Sequence, residues 1–180
     1  MDIKDHYKEL FNIQYDNELL KKQLEDIAPD EWVANTTTQD TWGTQAQAQN
    51  IFYVFSEWTD YDYNDIKTLK GEDTELDKSV WNIANQIKFD YGPRAKITKL
   101  ILAKMPVGAE IEMHTDKEQL ARIHRVHWVI KTNSNVSFII NNEWHHFEEG
   151  RAFELNNVKP HAVMNKGNEN RIHLICDILT

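Results

Sequence analysis

Seven of the eight histidines stand in the second half of the chain, at positions 114, 124, 127, 145, 146, 161 and 173. Imidazole is a common metal ligand, so the pattern around each one matters. In His114-Thr115-Asp116 an imidazole and a carboxylate stand two residues apart. On an extended chain such residues point the same way, so the two can share one ion. They are two members of a two-His-one-carboxylate set, which leaves three adjacent positions open on iron(II). Alone the tripeptide is a weak sign. His161 follows Pro160 on a later strand-like segment and offers the third ligand, and Arg171 stands ten residues beyond it. A guanidinium is a planar, two-pronged donor for a carboxylate. A molecule such as 2-oxoglutarate chelates iron through its keto acid and needs a cation for its far carboxylate. His114, Asp116, His161 and Arg171 together supply both ends.

Other residues fall into place around these. Alternation puts Arg125 on the same face of its strand as His127 and opposite Trp128, which directs Arg125 toward the same pocket. For His124, His145, His146 and His173 no spacing recruits a ligand, and the expected role is structural. His173 shares a face with Arg171 and can support the pocket. Trp32, Trp42, Trp58 and Trp81 are expected in the core rather than as a substrate platform. Cys176, on an apolar strand, reads as a small buried hydrophobe and not a nucleophile.

The elements that must position these groups can be read from periodicity. The chain has 180 residues, 41% of them hydrophobic, with six Trp, six Tyr and seven Phe. That suffices for a real core in a single domain, 1–180. The first half, to about residue 94, is mixed and leans helical. Leucines at 19, 20 and 24 with Ile27 recur at helical spacing, and Pro29 breaks that helix. Ile51–Phe55 reads as a strand and Tyr61–Asp77 as a polar loop. Val80, Trp81, Ile83, Ile87 and Phe89 mark an amphipathic helix that stops before Gly92-Pro93. From about residue 95 the period changes. Short strands are expected at 97–105, 111–114, 123–131, 136–140, 144–147, 152–155, 161–164 and 172–178, with turn signals between them. The expected class is α+β, mainly β: a double-stranded β-helix, jelly-roll and cupin-like, with N-terminal helices packed on it.

Charge excludes several functions. The net charge is −9, with −11 carried by residues 1–90 and +2 by residues 91–180. An acidic chain without a basic stripe is a poor partner for nucleic acid. No apolar run is long enough to span a membrane, and the charged start MDIKDHYKEL does not resemble a secretory signal. One cysteine cannot close an intrachain disulfide. A reducing, cytoplasmic compartment is expected.

The stretches PVGAEIEMHTD, RVHWVIKTN, EEGRAFELNNVKPHAVMN and RIHLICDI resemble the aspartyl/asparaginyl β-hydroxylase family of Fe(II)- and 2-oxoglutarate-dependent dioxygenases, which includes some free-proline hydroxylases. YDNELLKKQLEDI and the tryptophans at 32 and 42 are similar more loosely. The resemblance implies metal binding by His114, Asp116 and His161. It implies a 2-oxoglutarate grip at Arg171, with Arg125 and His127 in the same cosubstrate pocket. Ala103 stands where some members carry a serine for the cosubstrate, and the segment from His114 to Arg125 is slightly longer than in the animal enzymes. The implied reaction consumes O2 and 2-oxoglutarate and hydroxylates an unactivated C–H bond of an amino acid, free or within an exposed peptide segment. Ascorbate is an expected activator, and no acid–base catalytic residue is needed. A bacterial or viral cytoplasm is the expected setting, and the acidic first half suits a neutral or cationic substrate. The alternatives are a cupin-like module that binds metal without turnover and a hydrolytic zinc site on the same ligands. Neither accounts for Arg171.

Overall fold

The structure, a computed structural model, describes residues 6–34, 48–56, 65–116 and 118–180. Trp42 and Trp58 lie outside them. The elements in chain order are β1 (Tyr7–Glu9), α1 (Asn17–Glu25), β2 (Val33–Ala34), β3 (Gln49–Ser56), β4 (Ile66–Thr68), α2 (Glu75–Asp90), β5 (Lys96–Met105), β6 (Glu110–His114), β7 (His124–Lys131), β8 (Val136–Ile140), β9 (Glu143–His145), β10 (Ala152–Leu155), β11 (His161–Asn165) and β12 (Arg171–Leu179).

The strands form two antiparallel sheets. The large one runs β1-β10-β7-β12-β5-β3-β2, with β4 also on β3, and the small one runs β6-β11-β8-β9. From β5 onward the chain passes from sheet to sheet at every connection except the β8–β9 hairpin. That hairpin turns on Asn141 and Asn142, both at positive φ (51° and 67°). A two-residue turn whose twist matches the strands requires that conformation, and Asn tolerates it.

Helices α1 and α2 lie against one face of the large sheet. Asp16 caps α1 by accepting from the Glu18 and Leu19 amides (3.1 and 3.0 Å). Asn17 ties that end to β7, donating to the Ile130 carbonyl and accepting from the Trp128 indole. A reciprocal Thr74/Asp77 capping box opens α2, and the Tyr53 hydroxyl donates to Asp77 from β3 (2.7 Å). Leu20, Val80, Ile83 and Ile87 pack with Leu100, Leu102 and Trp128 into the main core. A second apolar cluster, including Met105, Val129, Phe138 and Ile140, fills the space between the sheets. The site is built at one end of that interior.

The structure departs from the periodicity in definite places. Among the described residues the first half supplies β1, β2 and β4 besides the strand expected at 51–55, and β3 pairs along β5. Within the expected loop at 61–77, residues 66–68 form β4 and 75–77 open α2. Phe89, assigned to the buried stripe, is 86% exposed. Ile123 is buried but precedes its strand. Trp32 is buried with the Lys104 ammonium over its ring, and Trp81 is half-buried. Cys176 is fully buried, and burial pushes its thiol pKa up.

Candidate metal and anion site

His114 ends β6 and His161 begins β11, and the two are direct register partners. Partners in an antiparallel pair project to the same side, and their ring centroids are 4.2 Å apart. Each ring is oriented from behind. His114 Nδ1 lies 2.7 Å from the Glu112 carbonyl and His161 Nδ1 lies 2.9 Å from the Lys159 carbonyl. An Nδ1–H donated to a carbonyl leaves Nε2 as a bare lone pair, the tautomer a metal needs. Asp116 completes the group, with Oδ1 3.9 Å from His114 Nε2. One ligand atom from each of His114, Asp116 and His161 lies within 4.8 Å of the other two.

Asp116 is held on several sides. Its amide donates to the Asn157 carbonyl (3.0 Å), and the Asn157 side chain donates back to Oδ2 (3.2 Å). Arg125 Nη1 donates to the same oxygen, so Oδ1 is left for an ion. Burial opposes ionisation of this carboxyl, but Arg125, with His161 and Asn157 behind it, outweighs burial and holds its pKa below the ordinary value. Burial lowers the His161 pKa, which keeps that ring a neutral ligand.

Arg171 sits on the adjoining cavity wall, 3% exposed. Its Nη1 donates to Met105 Sδ (3.3 Å), its Cζ lies 5.4 Å over the Phe138 ring, and its buried Nε has no hydrogen-bond partner. Among the described residues no carboxylate forms an ion pair with it. Burial without a counter-charge draws its pKa down to about 9, so it stays cationic at neutral pH. His127 and His173 stand beside it, their Nδ1 atoms 3.1 Å apart and both Nε2 atoms buried without partners. Burial, then Arg171, pushes both rings well below the ordinary histidine pKa. A buried cation without a partner is costly. The arrangement fits an anion that arrives from outside.

Arg125 and His127, expected to share a pocket, stand in different company. His127 is beside Arg171. Arg125 grips Asp177 with two parallel bonds of 2.8 Å (Nε to Oδ1, Nη2 to Oδ2) as well as Asp116. Both line the cavity, as does Ala103, which offers no hydroxyl there. Trp128 points the opposite way, into the helix-side core. Of the histidines expected to be structural, His124 lies 2.6 Å from Glu154, and His146 lies 3.0 Å from the Val136 carbonyl.

Sequence reasoning missed Lys99, Asn157 and Asp177. Lys99 lines the cavity at 9% exposure, with neither hydrogen bond nor ion pair among the described residues. Burial, then Arg125, lowers its pKa. A lysine inside the apolar run ITKLILAKM and an aspartate inside RIHLICDI were available signals, since charges on a buried strand need a reason. Asn157 carried none.

A family model described as aspartyl/asparaginyl β-hydroxylase matches residues 16–180. No curated protein matches the chain. Among solved structures, the chain is similar to a 2OG-Fe(II) oxygenase family oxidoreductase from Burkholderia pseudomallei, at 11% identity and TM-score 0.56 over 92% of this chain and 90% of that one. It is similar to a Pseudomonas putida prolyl-4-hydroxylase, at 11% identity and TM-score 0.56 over 98% and 93%. It is also similar to the viral collagen prolyl hydroxylase of Paramecium Bursaria Chlorella virus-1, at 7% identity and TM-score 0.59 over 97% and 96%. At these identities the likeness is one of fold.

Proposed function

The chain belongs to the aspartyl/asparaginyl β-hydroxylase family, and from that premise we propose an Fe(II)- and 2-oxoglutarate-dependent hydroxylase acting on an amino acid, free or within an exposed peptide. One observation carries the reading. The two histidines of a His-Asp-His ligand set line one cavity with a buried arginine that has no ion pair among the described residues.

In this reading His114 Nε2, Asp116 Oδ1 and His161 Nε2 hold iron(II). When bound, the metal supplies the redox chemistry by which O2 and 2-oxoglutarate yield succinate, carbon dioxide and a hydroxylated substrate. The remaining work falls to the chain. The Glu112 and Lys159 carbonyls fix the ligand tautomers. Asn157 and Arg125 turn Asp116 so that one oxygen faces the ion. Arg171 receives the far carboxylate of the cosubstrate in a dry, apolar setting, where a charge-assisted bidentate pair is strongest. His127 stays neutral beside it and accepts or donates one hydrogen bond.

Lys99 is a second buried cation on the same cavity, with no hydrogen bond or ion pair among the described residues although Asp177 and Asp116 lie near enough to oppose the fall of its pKa. We assign it to a carboxylate of the substrate, a group that every free amino acid carries. That local charge outweighs the acidic first half of the chain in setting substrate preference, because field lines are focused by the low-dielectric walls of a cleft. Residues 1–180 act as one domain in this account, in a cytoplasmic setting, with ascorbate keeping the metal reduced.

The test is succinate formation followed by NMR, with iron(II) and 2-oxoglutarate, with and without O2, across a panel of amino acids and short peptides. Oxygen-dependent succinate, raised by a substrate that gains one oxygen atom, is expected. Iron and 2-oxoglutarate binding with no succinate anywhere on the panel would move the assignment to a non-catalytic binding module. Activity with zinc in the absence of O2 would indicate a hydrolase.

A further inference from the structure

A second group of metal-ligating side chains lies at the rim of the sandwich, where the last strand of the small sheet meets the first segment of the chain. Glu143 and His145 stand two apart on β9 and so project to one side of it. His6, just before β1, faces them. Its Nδ1 is 3.3 Å from Glu143 Oε2, and its ring centroid is 5.3 Å from that of His145. One ligand atom from each of His6, Glu143 and His145 lies within 4.8 Å of the other two. Around a zinc ion with bonds of about 2.1 Å, tetrahedral ligand atoms sit about 3.4 Å apart, so the His6–Glu143 edge of 3.3 Å is close to that length.

The supporting contacts are those of a held site. The His6 carbonyl accepts from the Asn156 amide (3.0 Å), and its Nε2 lies 3.4 Å from the Asn141 amide. The His145 ring lies near-parallel to Phe147 and edge-on to Tyr7. Its Nε2 is buried and has no hydrogen-bond partner among the described residues. Register separates this group from the first. Across the small sheet His114 pairs His161, His161 pairs Ile140, and Ile140 pairs Glu143. Both groups therefore look to the same side of the sheet, but the strand β8 stands between them.

We propose that His6, Glu143 and His145 form a second divalent-cation site, of zinc type, that fastens the N-terminal segment to β9 and so joins the edges of the two sheets. Two imidazoles and a carboxylate suit a borderline cation such as zinc. An ion bound there couples β1, the edge of the large sheet, to β9, the edge of the small one. It stabilises the folded chain by mass action, because an unfolded chain does not hold the three ligands together.

The experiment uses full-length, tag-free protein stripped with chelator, with zinc(II) as the probe, measured by titration calorimetry and metal analysis. The His114→Ala/His161→Ala double variant removes the first site and isolates the second. It is expected to bind one zinc per chain and to melt at a higher temperature as zinc is added. Placing His6→Gln or Glu143→Gln in that background should weaken binding. His145→Ala should weaken it by about 100-fold or more, since loss of an outer partner alone costs 10–100-fold. Because His145 packs against aromatics, the half-exposed His6 is the deciding position if His145→Ala fails to fold. A double variant with no zinc bound, or with zinc affinity indifferent to His6→Gln and Glu143→Gln, overturns the site. Neither result bears on hydroxylation, which is read separately through succinate.

Discussion

Two arginines on the same sheet line one cavity and are treated in opposite ways. Arg125 is paired, with Asp177 taking Nε and Nη2 of its fork and Asp116 accepting from Nη1. Arg171 is more deeply buried, yet among the described residues it pairs with no carboxylate and meets a thioether and an aromatic face. A closed ionic network fixes geometry, and an open buried charge is kept for a ligand. On the proposed function, this contrast makes Arg125 the residue that positions Asp116 and Arg171 the one that receives a dicarboxylate. The same argument separates Asp177, hydrogen-bonded to Arg125, from Lys99, which has Asp177 and Asp116 near it but no hydrogen bond or ion pair among the described residues.

The largest expected effect comes from opening the closed corner. Asp177→Ala strips Arg125 of its fork partner, and breaking a buried pair by removing one member costs about 3–5 kcal/mol. The urea midpoint should fall accordingly, and metal affinity should fall with it as Asp116 loses its fixed partner. Removing the open charge should do the reverse. Arg171→Leu should leave stability equal to or above wild type, since replacing an unpaired buried charge with an apolar side chain relieves desolvation. The same variant should weaken 2-oxoglutarate by roughly 2–5 kcal/mol, or about 30- to 4000-fold. Arg171→Lys should lie between, because a point charge cannot fork. Calorimetry with Mn(II)-loaded protein and a parallel urea melt read both. A strong loss of stability in Arg171→Leu would contradict the contrast.

A smaller effect follows from the histidines beside Arg171. Burial keeps His127 and His173 neutral, with folded pKa values well below the ordinary 6.5. Below about pH 6.5 the unfolded chain takes up protons that the folded chain refuses. Stability is therefore complete above that pH and falls on acidification, by up to about 1.4 kcal/mol per pH unit for each ring, until the folded pKa is reached. His173→Leu should reduce the slope in melts between pH 6.5 and 5, to which His161 and His145, also lowered by burial, contribute. An unchanged slope would place the proton uptake elsewhere.

The strands of the second half were legible because alternation and turn residues leave a local trace. Arg125 and His127 against Trp128 sorted correctly onto two sides by period alone. The His-Thr-Asp tripeptide was legible for the same reason. The state of each charge was not. That Arg125 is spoken for and Arg171 is not depends on which strand lies beside β12 and on Asp177 meeting Arg125 across a register pair. No window of sequence contains that. Phe89 failed because helical period marks a stripe but not its edge, and β4 hid inside a segment whose polarity suits an edge strand as well as a loop.

The smallest expected effect lies away from both corners. Asp16→Ala removes the cap of α1 and should cost about 1 kcal/mol of stability. Metal and 2-oxoglutarate affinity should not change, since the helix lies on the far side of the large sheet from the cavity. A changed ligand affinity would mean the two faces are coupled.

The central claim is that Arg171 recognises the far carboxylate of the cosubstrate, and one titration addresses it directly. Under anaerobic conditions, iron(II)-loaded protein is titrated with 2-oxoglutarate and with 2-oxobutyrate, which keeps the keto acid and lacks the second carboxylate. The metal-to-ligand charge-transfer band reports binding of both. The wild type should prefer 2-oxoglutarate by about 30-fold or more, and in Arg171→Leu that preference should vanish while the band itself survives. A preference undiminished in Arg171→Leu would contradict the account.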